Sequence, residues 1–480
     1  MKKRVKPQAA SAEAARSETP AAEGEPQASD AEFRPVFRED ETDPAHLRGR
    51  RFLLLQGPQS GFFRLLAEQL EAAGAKVDKV CFCGGDVFLW GFRKSHWYRG
   101  DLYSWPAWIG ACYRDLGITD VCLYGDWRPR HWEAVRLARA RGIRVWVFEE
   151  GYLRSGFSTL ERNGVNGRSR LPREPEFYRR YGALLPDPEV KNVENDIRDK
   201  VWKAILHHTG NVLLWPVFHK YRTHRPTNIF FELIGILPRF LTRKRRQARS
   251  KAVYQAFCKD KRPYYFFPLQ LVSDSQIQLY SPYVRVQEAI ADVISSFARF
   301  APPATRLLIK NHPLDNGLIR YGTFIQSFSK ELGLDDRVTF VEDGSTADMI
   351  HGARAVVLVN STVGLMALDQ GKPVFCLGTS VYNLRGLTES EPDQSMHKFW
   401  RAPHGPDQTL YRDFKRVLAF QALVHGNFYS PHGMSLAAAD SLKRFARADA
   451  DDEREDAYHA ARAIRRTAAK AVRPRESEEF

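Results

Sequence analysis

VWVFEEGYLR, residues 145–154, is the stretch on which the fold class turns. Four apolar residues, Val145 to Phe148, run straight into Glu149 and Glu150, and Gly151 breaks the run. A short apolar run closed by a turn residue reads as a buried parallel strand. Side chains alternate across a strand, so Val147 and Glu149 share one face while Phe148 and Glu150 share the other. A strand of this kind delivers one acid to a cleft at its carboxyl end and leaves the other to a partner such as Arg154.

The same grammar extends upstream. Arg51-Phe-Leu-Leu-Leu-Gln56-Gly57-Pro58 is an apolar run stopped by turn residues, and Phe62 to Leu70 carries a helical pattern. A second strand is expected near Lys79 to Cys83, ended by Gly84-Gly85-Asp86. A strand at Asp120 to Tyr124 and a helix around Trp132 to Arg141 lead into the quoted stretch. Downstream a second series begins, with strands at Tyr264 to Phe267, Arg306 to Lys310, Val338 to Val341, Ala355 to Val359 and Pro373 to Cys376. Helical patterns at Val284 to Phe300, Phe324 to Leu332 and Val363 to Asp369 alternate with them. Strands alternating with helices predict parallel sheets, hence an α/β protein of two facing Rossmann-like domains.

The chain has 480 residues, enough for two domains, because single cores stop growing beyond roughly 250–300 residues. Its net charge of +15 suits an anionic partner: nucleic acid, a membrane surface or an anionic substrate. Six cysteines in so long a chain make no disulfide framework, and Cys81-Phe82-Cys83 lacks zinc-knuckle spacing. They read as reduced core thiols of a cytosolic protein. Residues 1–46 are Ala-, Glu- and Pro-rich without the apolar core of a signal peptide, and are expected to be disordered. Residues 47–184 form the first α/β domain, 256–430 the second, and 431–480 a helix and charged tail. No stretch reaches the ~18–20 apolar residues of a membrane span.

Residues 185–255 read as a basic amphipathic helical insert. Between positions 201 and 250 stand Lys203, Lys220, Arg222, Arg225, Arg239, Arg243, Lys244, Arg245, Arg246 and Arg249, against the single acid Glu232. Trp202, Trp215, Phe230, Phe231 and several aliphatics are interleaved. That mixture suits the surface of an anionic bilayer, with Arg243 to Arg246 as the contact; the alternative is an ordinary solvated helix pair. The histidines here, His207, His208, His219 and His224, lack metal-ligand spacing, and no metal is expected.

Three places can carry chemistry. Glu149 and Glu150, with Asp126 at the end of the preceding strand, put carboxylates on one rim. Lys310-Asn311-His312-Pro313 closes a strand of the second domain and offers a histidine and a lysine, with Gln270 and Asp274 on the same edge. Asn360-Ser361-Thr362-Val363-Gly364 joins a strand to a helix whose free N–H groups suit a phosphate; simple helix capping explains the hydroxyls equally well. Carboxylates in one half and anion-binding groups in the other fit transfer from a phosphate-linked donor by a glycosyltransferase of the GT-B type. No Walker A, kinase, nucleophile-elbow or dinucleotide glycine pattern is present, and no nucleic-acid motif.

Gln56-Gly57-Pro58, Cys83-Gly-Gly-Asp86, Tyr124-Gly-Asp126, Glu149-Glu-Gly-Tyr-Leu-Arg154, Ser281-Pro282, Lys310-Asn-His-Pro313 and Asn360-Ser-Thr-Val-Gly364 together resemble the capsular polysaccharide biosynthesis proteins of the KpsS type over about residues 50–430. The resemblance implies a retaining β-Kdo transferase that moves Kdo from CMP-Kdo to a phosphatidylglycerol-type lipid. That would place it in the cytoplasm, peripheral at the inner face of the cytoplasmic membrane. It implies a catalytic carboxylate in the Glu149–Glu150 pair, with Glu150 favoured, and CMP binding by His312, Pro313, Ser361 and Thr362. No cofactor beyond the donor is expected. Partners would be the CMP-sugar, the anionic lipid and other capsule biosynthesis or export proteins, but no nucleic acid. The alternative is a non-catalytic capsule assembly or export protein acting at the membrane.

Overall fold

A computed structural model describes residues 42–153, 156–194, 197–222, 239, 242–271, 275–391 and 395–448, all within one compact unit, Pro35–Ala450. Arg154, Asp274, His224, Arg225 and the apolar residues 230–237 of the insert lie outside the described residues.

The first sheet contains β1 (Arg51–Leu54), β2 (Lys76–Cys81), β3 (His96–Trp97), β4 (Asp120–Tyr124), β5 (Arg144–Glu150) and β6 (Phe157–Arg162), joined by β13 (Leu423–His425). Its order is β13-β6-β5-β4-β1-β2-β3. The strands from β3 through β5 are parallel, whereas β6 and β13 run antiparallel to their neighbours. The second sheet is wholly parallel and contains β7 (Tyr264–Pro268), β8 (Arg306–Lys310), β9 (Val338–Val341), β10 (Ala355–Leu358), β11 (Val374–Cys376) and β12 (Glu389–Ser390). Its order is β12-β11-β10-β7-β8-β9. Counted within each half, both sheets follow the doubly wound order 3-2-1-4-5-6. The α/β expectation therefore holds in both halves.

Burial follows from this layering. Val145 and Val147 of β5 pack with Leu53, Leu55, Phe82 and Trp105 on one face of the first sheet. Trp146 and Phe148 pack on the other, against Phe62, Phe63 and the helix Pro431–Ala446 through Phe445. The alternation read from residues 145–150 is thus observed, with hydrophobic burial on both faces holding the register.

Several local expectations are corrected. Gly84-Gly85-Asp86 does not end a strand but opens the helix Gly84–Trp90. The antiparallel strand β6 was not expected. The second domain does not extend to residue 430, because β13 leaves it to pair with β6 in the first sheet. The helix Pro431–Ala446 follows β13 and buries Ala437, Ala438, Leu442 and Phe445 on the first half. The stretch 185–255, read as a basic amphipathic insert, packs on the two halves through its described helices. Its helix Ile197–Leu213 packs on Gly84–Trp90, and Arg243–Lys259 packs beside the second sheet, with Phe257 under the Arg306 guanidinium. The halves also meet where the helix Pro175–Gly182 lies on Gln408–Ala422, with no room for a side chain at Gly182 beside Asp413.

Candidate active site

In a doubly wound sheet the crevice lies beyond the carboxyl ends of the strands, where the strand order reverses. In the first half that point lies between β1 and β4, leading to Gln56-Gly57 and Gly125-Asp126. In the second it lies between β7 and β10, leading to Gln270 and Asn360. The observed geometry divides these candidates into groups held by packing and groups that converge on a junction between the halves.

Glu149 and Asp126 converge. Gly125 sits at φ +69°, a left-handed turn that glycine adopts without strain, and its N–H donates to the Phe148 carbonyl at 2.9 Å. The turn leaves the Glu149 carboxylate beside Gly125, 3.5 Å from where a Cβ would stand. Glu149 Oε1 accepts the Glu150 N–H at 3.0 Å. Desolvation outweighs that hydrogen bond and the nearby Arg128, so the Glu149 carboxyl is pushed up to about 7. Asp126 is 2% exposed and also raised by burial, with Arg168 Nη1 3.6 Å from Oδ2 opposing the shift.

Arg168 and Tyr280 complete the group, and neither was singled out in the sequence. The Arg168 guanidinium lies 3.9 Å from the Trp132 ring centroid and 5.6 Å from that of Tyr280. Tyr280 ends the helix Ser275–Tyr280 of the second half, yet a Cβ at Gly167 of the first half would stand 2.3 Å from its ring. The charges of Asp126 and Glu149 both reach the Tyr280 hydroxyl and help raise its pKa, after burial. The neighbouring Ser281-Pro282 was the only local sequence signal for Tyr280; Arg168 had none.

Glu150 faces elsewhere. Its Oε1 accepts from the Tyr429 hydroxyl at 2.7 Å and from the Tyr124 hydroxyl at 3.3 Å. Lys200, from the helix Ile197–Leu213, stands over the Tyr429 ring at 4.2 Å.

In the second half, Leu314 N donates to His312 Nδ1 at 3.1 Å. A ring nitrogen that accepts carries no proton, which leaves the proton on Nε2 of the half-buried neutral imidazole. Pro313 is exposed beside it. Lys310 does not sit open at the cleft edge as expected. It is 3% exposed, its Nζ donates to the Asn311 carbonyl at 3.3 Å, and burial lowers its pKa. Gln270 and Asn360 hold each other: Gln270 Nε2 donates to Asn360 Oδ1 at 3.0 Å, and Asn360 N donates back to Gln270 Oε1 at 3.0 Å. Asn360 Nδ2 also donates to the Gln276 carbonyl at 2.8 Å, fastening the helix that carries Tyr280. These two amides work as a brace. Gly364 makes room for Tyr382, whose hydroxyl donates to the Ser361 carbonyl. Ser361 Oγ accepts from Val363 N at 3.2 Å, while Thr362 makes no capping bond.

Thr362 instead lines a cavity of about 510 Å³ between the halves. Tyr152, Leu153 and Phe157, just after the glutamate pair, form one wall; Leu365, Met366, Asp369, Arg412 and Lys415 form the other. A volume of this size is ordinary for a small-molecule site. Lys415 Nζ pairs with Asp369 Oδ1 at 2.8 Å and Asp187 also lines the cavity, which leaves Arg412 as the cation which that wall offers to an anion.

The remaining candidates of the first half are internal. A Cβ on Gly57 would stand 2.8 Å from the Phe63 ring. Gln56 and Asp86 are buried, with Gln56 Nε2 donating to Asp86 Oδ1 at 3.1 Å and Arg128 Nη1 donating to Gln56 Oε1 at 2.8 Å. Of the cationic run, Arg243, Lys244 and Arg245 are exposed. Arg246 is not available as expected for a membrane: it is half-buried, and its Nη1 pairs with Glu342 Oε2 at 3.2 Å. No helix among the described residues is long and apolar enough to cross a membrane.

Residues 119–429 match the family model described as capsule polysaccharide biosynthesis protein. The chain is 36% identical over 384 residues to the Escherichia coli capsule polysaccharide export protein KpsS, covering 80% of this chain and 98% of that protein. It is 31% identical to the capsule polysaccharide modification protein LipB of Neisseria meningitidis serogroup A, covering 79% of this chain and 91% of that protein. Among solved structures, Thermosulfurimonas dismutans KpsC, a beta Kdo 2,7 transferase, is similar at 15% identity and a TM-score of 0.42, covering 84% of this chain and 100% of that chain.

Proposed function

The chain belongs to the capsule polysaccharide biosynthesis family, and from that premise we propose that it is a glycosyltransferase moving Kdo from CMP-Kdo to a phosphatidylglycerol-type lipid. The observation that carries the reading is Glu149, a carboxyl lifted to about 7 at the carboxyl end of β5, within electrostatic reach of Tyr280 from the other half. In the transfer, the bond from the Kdo anomeric carbon to the CMP phosphate oxygen breaks and CMP leaves with the electron pair. The acceptor hydroxyl oxygen bonds to that carbon, on the face that CMP leaves where configuration is retained, while its proton passes to a carboxylate. A carboxyl titrating near neutrality is matched to that proton transfer, which supports Glu149 over Glu150 in the role. Arg412 and Thr362 would face the donor phosphate, and His312 would donate through Nε2. Retention of configuration enters from the family resemblance.

The lipid acceptor is supported by the helix Ile197–Leu213 and the turn after it. Trp202, Val212, Leu213 and Trp215 are 62%, 72%, 62% and 65% exposed, with Ile205 half exposed between them. The same segment carries Lys203, half-buried, and Lys220, exposed, and apolar residues mixed with cations suit an anionic bilayer. These exposures support a membrane contact made chiefly by the tryptophan-bearing helix, with Arg243, Lys244 and Arg245 as additional cations. The export role in the name of the KpsS relative favours a second reading, an export or assembly role without catalysis.

Incubating the full chain with CMP-Kdo and phosphatidylglycerol vesicles separates the two. A lipid mass gain of one Kdo, formed far more slowly by Glu149→Gln, is expected. A wild-type protein that neither transfers from CMP-Kdo nor hydrolyses it would sink the enzymatic reading.

A further inference from the structure

Cys83, Asp86 and His207 are each buried, and one ligand atom from each lies within 4.8 Å of the others. The sequence hid this grouping because His207 comes from a distant helix. Cys83 stands just before the helix Gly84–Trp90, in extended backbone, and Asp86 is in its first turn. His207 reaches them because two glycines leave space. A Cβ on Gly85 would be 2.1 Å from His207 Nδ1, and one on Gly84 would be 1.9 Å from the Gly210 carbonyl oxygen. Gly85 N donates to Asn211 Oδ1 at 2.8 Å, fixing the helix register. The Cys-Gly-Gly-Asp motif thus makes a seat for Ile197–Leu213 and presents a sulfur, a carboxylate and an imidazole at its base.

From this geometry we propose that Cys83, Asp86 and His207 form a binding site for a zinc-class divalent ion, independent of the glycosyltransferase reading. Thiolate, imidazole and carboxylate together select a borderline-soft cation and match zinc's ordinary donors. Zinc–ligand bonds of about 2.0–2.3 Å put tetrahedral donors about 3.3–3.8 Å apart, so closure draws the three in by roughly 1 Å. The outer shell is already built. Gln56 Nε2 donates to both Asp86 oxygens, at 3.1 and 3.3 Å, and reaches Cys83 Sγ at 3.6 Å. Phe82 N donates to Asp86 Oδ2 at 2.9 Å, and Tyr221 adds its hydroxyl to Gln56. Such contacts orient metal-binding groups. Binding converts the Cys83 thiol to a metal-bound thiolate and releases its proton to solvent; no electrons move.

The ion would staple Ile197–Leu213 to the first half. That helix also carries Lys200 over Tyr429, the donor to Glu150, and the exposed Trp202. Its role is therefore positional.

Zinc measured on the full chain purified without chelators, followed by cobalt titration of the stripped protein, tests the site. About one equivalent of zinc is expected, and cobalt should give a near-ultraviolet thiolate-to-metal band that saturates at one equivalent. Cys83→Ser should lose that band and His207→Ala should lose uptake, while His208→Ala, one position along, keeps both. The wild-type titration requires no variant to fold. No zinc and no saturable cobalt spectrum in the wild type, or cobalt bound without the thiolate band, would overturn the proposal.

Discussion

The Tyr429 hydroxyl donates to Glu150 Oε1 at 2.7 Å, joining the return segment from the second half to the end of β5. Glu150 is a braced acceptor, with Tyr124 on the same oxygen at 3.3 Å, whereas Glu149 accepts the Glu150 N–H at 3.0 Å and shares the Tyr124 hydroxyl. Glu149→Gln is expected to lower kcat by ~10²–10⁴-fold, the range of a lost general base. Glu150→Gln and Tyr429→Phe should each cost about tenfold or less. Steady-state kinetics on CMP-Kdo decide the order, and equal losses at the two glutamates would reject the assignment.

The rate should rise with pH through about 7, because the working form of Glu149 is ionised. Stability should move the other way. The folded protein holds the Glu149 proton above the ordinary value of 4.5, so this contribution is full below about 4.5 and lost as pH climbs through about 7. Glu161, also lifted to about 7 by burial, adds the same trend. Urea unfolding at pH 5 and 8 is therefore compared with Glu149→Gln, which should lose about 1–3 kcal/mol of the pH dependence. An identical slope in the variant would contradict the shift.

Gly84→Ala should destabilise the protein by about 1–3 kcal/mol or dislodge the helix Ile197–Leu213, since its Cβ meets the Gly210 backbone at 1.9 Å. Thermal melts and protease sensitivity after Lys200 or Lys203 report this. Gly61→Ala, where nothing lies within 4 Å of the new carbon, serves as the comparison.

Trp202→Ser with Trp215→Ser should reduce sedimentation with anionic vesicles at least tenfold while leaving the melting temperature within a few degrees. Neutralising Arg243, Lys244 and Arg245 should weaken binding by about 1 kcal/mol for each charge near the surface. Arg246→Gln should lower stability instead, because its partner Glu342 is within the protein at 3.2 Å. Vesicle binding unaffected by the tryptophan pair would place the contact elsewhere.

Local periodicity made the layers legible. The apolar runs before Glu149, Lys310 and Asn360 named strands whose carboxyl ends do face the crevice, and alternation along residues 145–150 separated the two acids. What periodicity cannot carry is a partner chosen by tertiary approach. His207 meets Cys83 and Asp86 only because a helix more than a hundred residues downstream settles on two glycines. Arg168 reaches Asp126 only after β6 reverses direction. Lys310, Gln270 and Asn360 looked like ligand contacts because strand-end polar groups serve as braces as readily as they serve as binding groups. The Gly84-Gly85 pair was the one readable sign of close approach.

The pairing of β13 with β6 has a consequence for the order of synthesis. A ribosome releases β6 long before residues 423–425 exist, and at about 5–20 residues per second the wait is on the order of tens of seconds. Throughout it, the nascent first half presents an open strand edge and an uncovered seat for Phe445, features that invite pairing with another chain. A molecular chaperone has that interval in which to act, and the helix Pro431–Ala446, the last among the described residues, is the one that seals the first sheet.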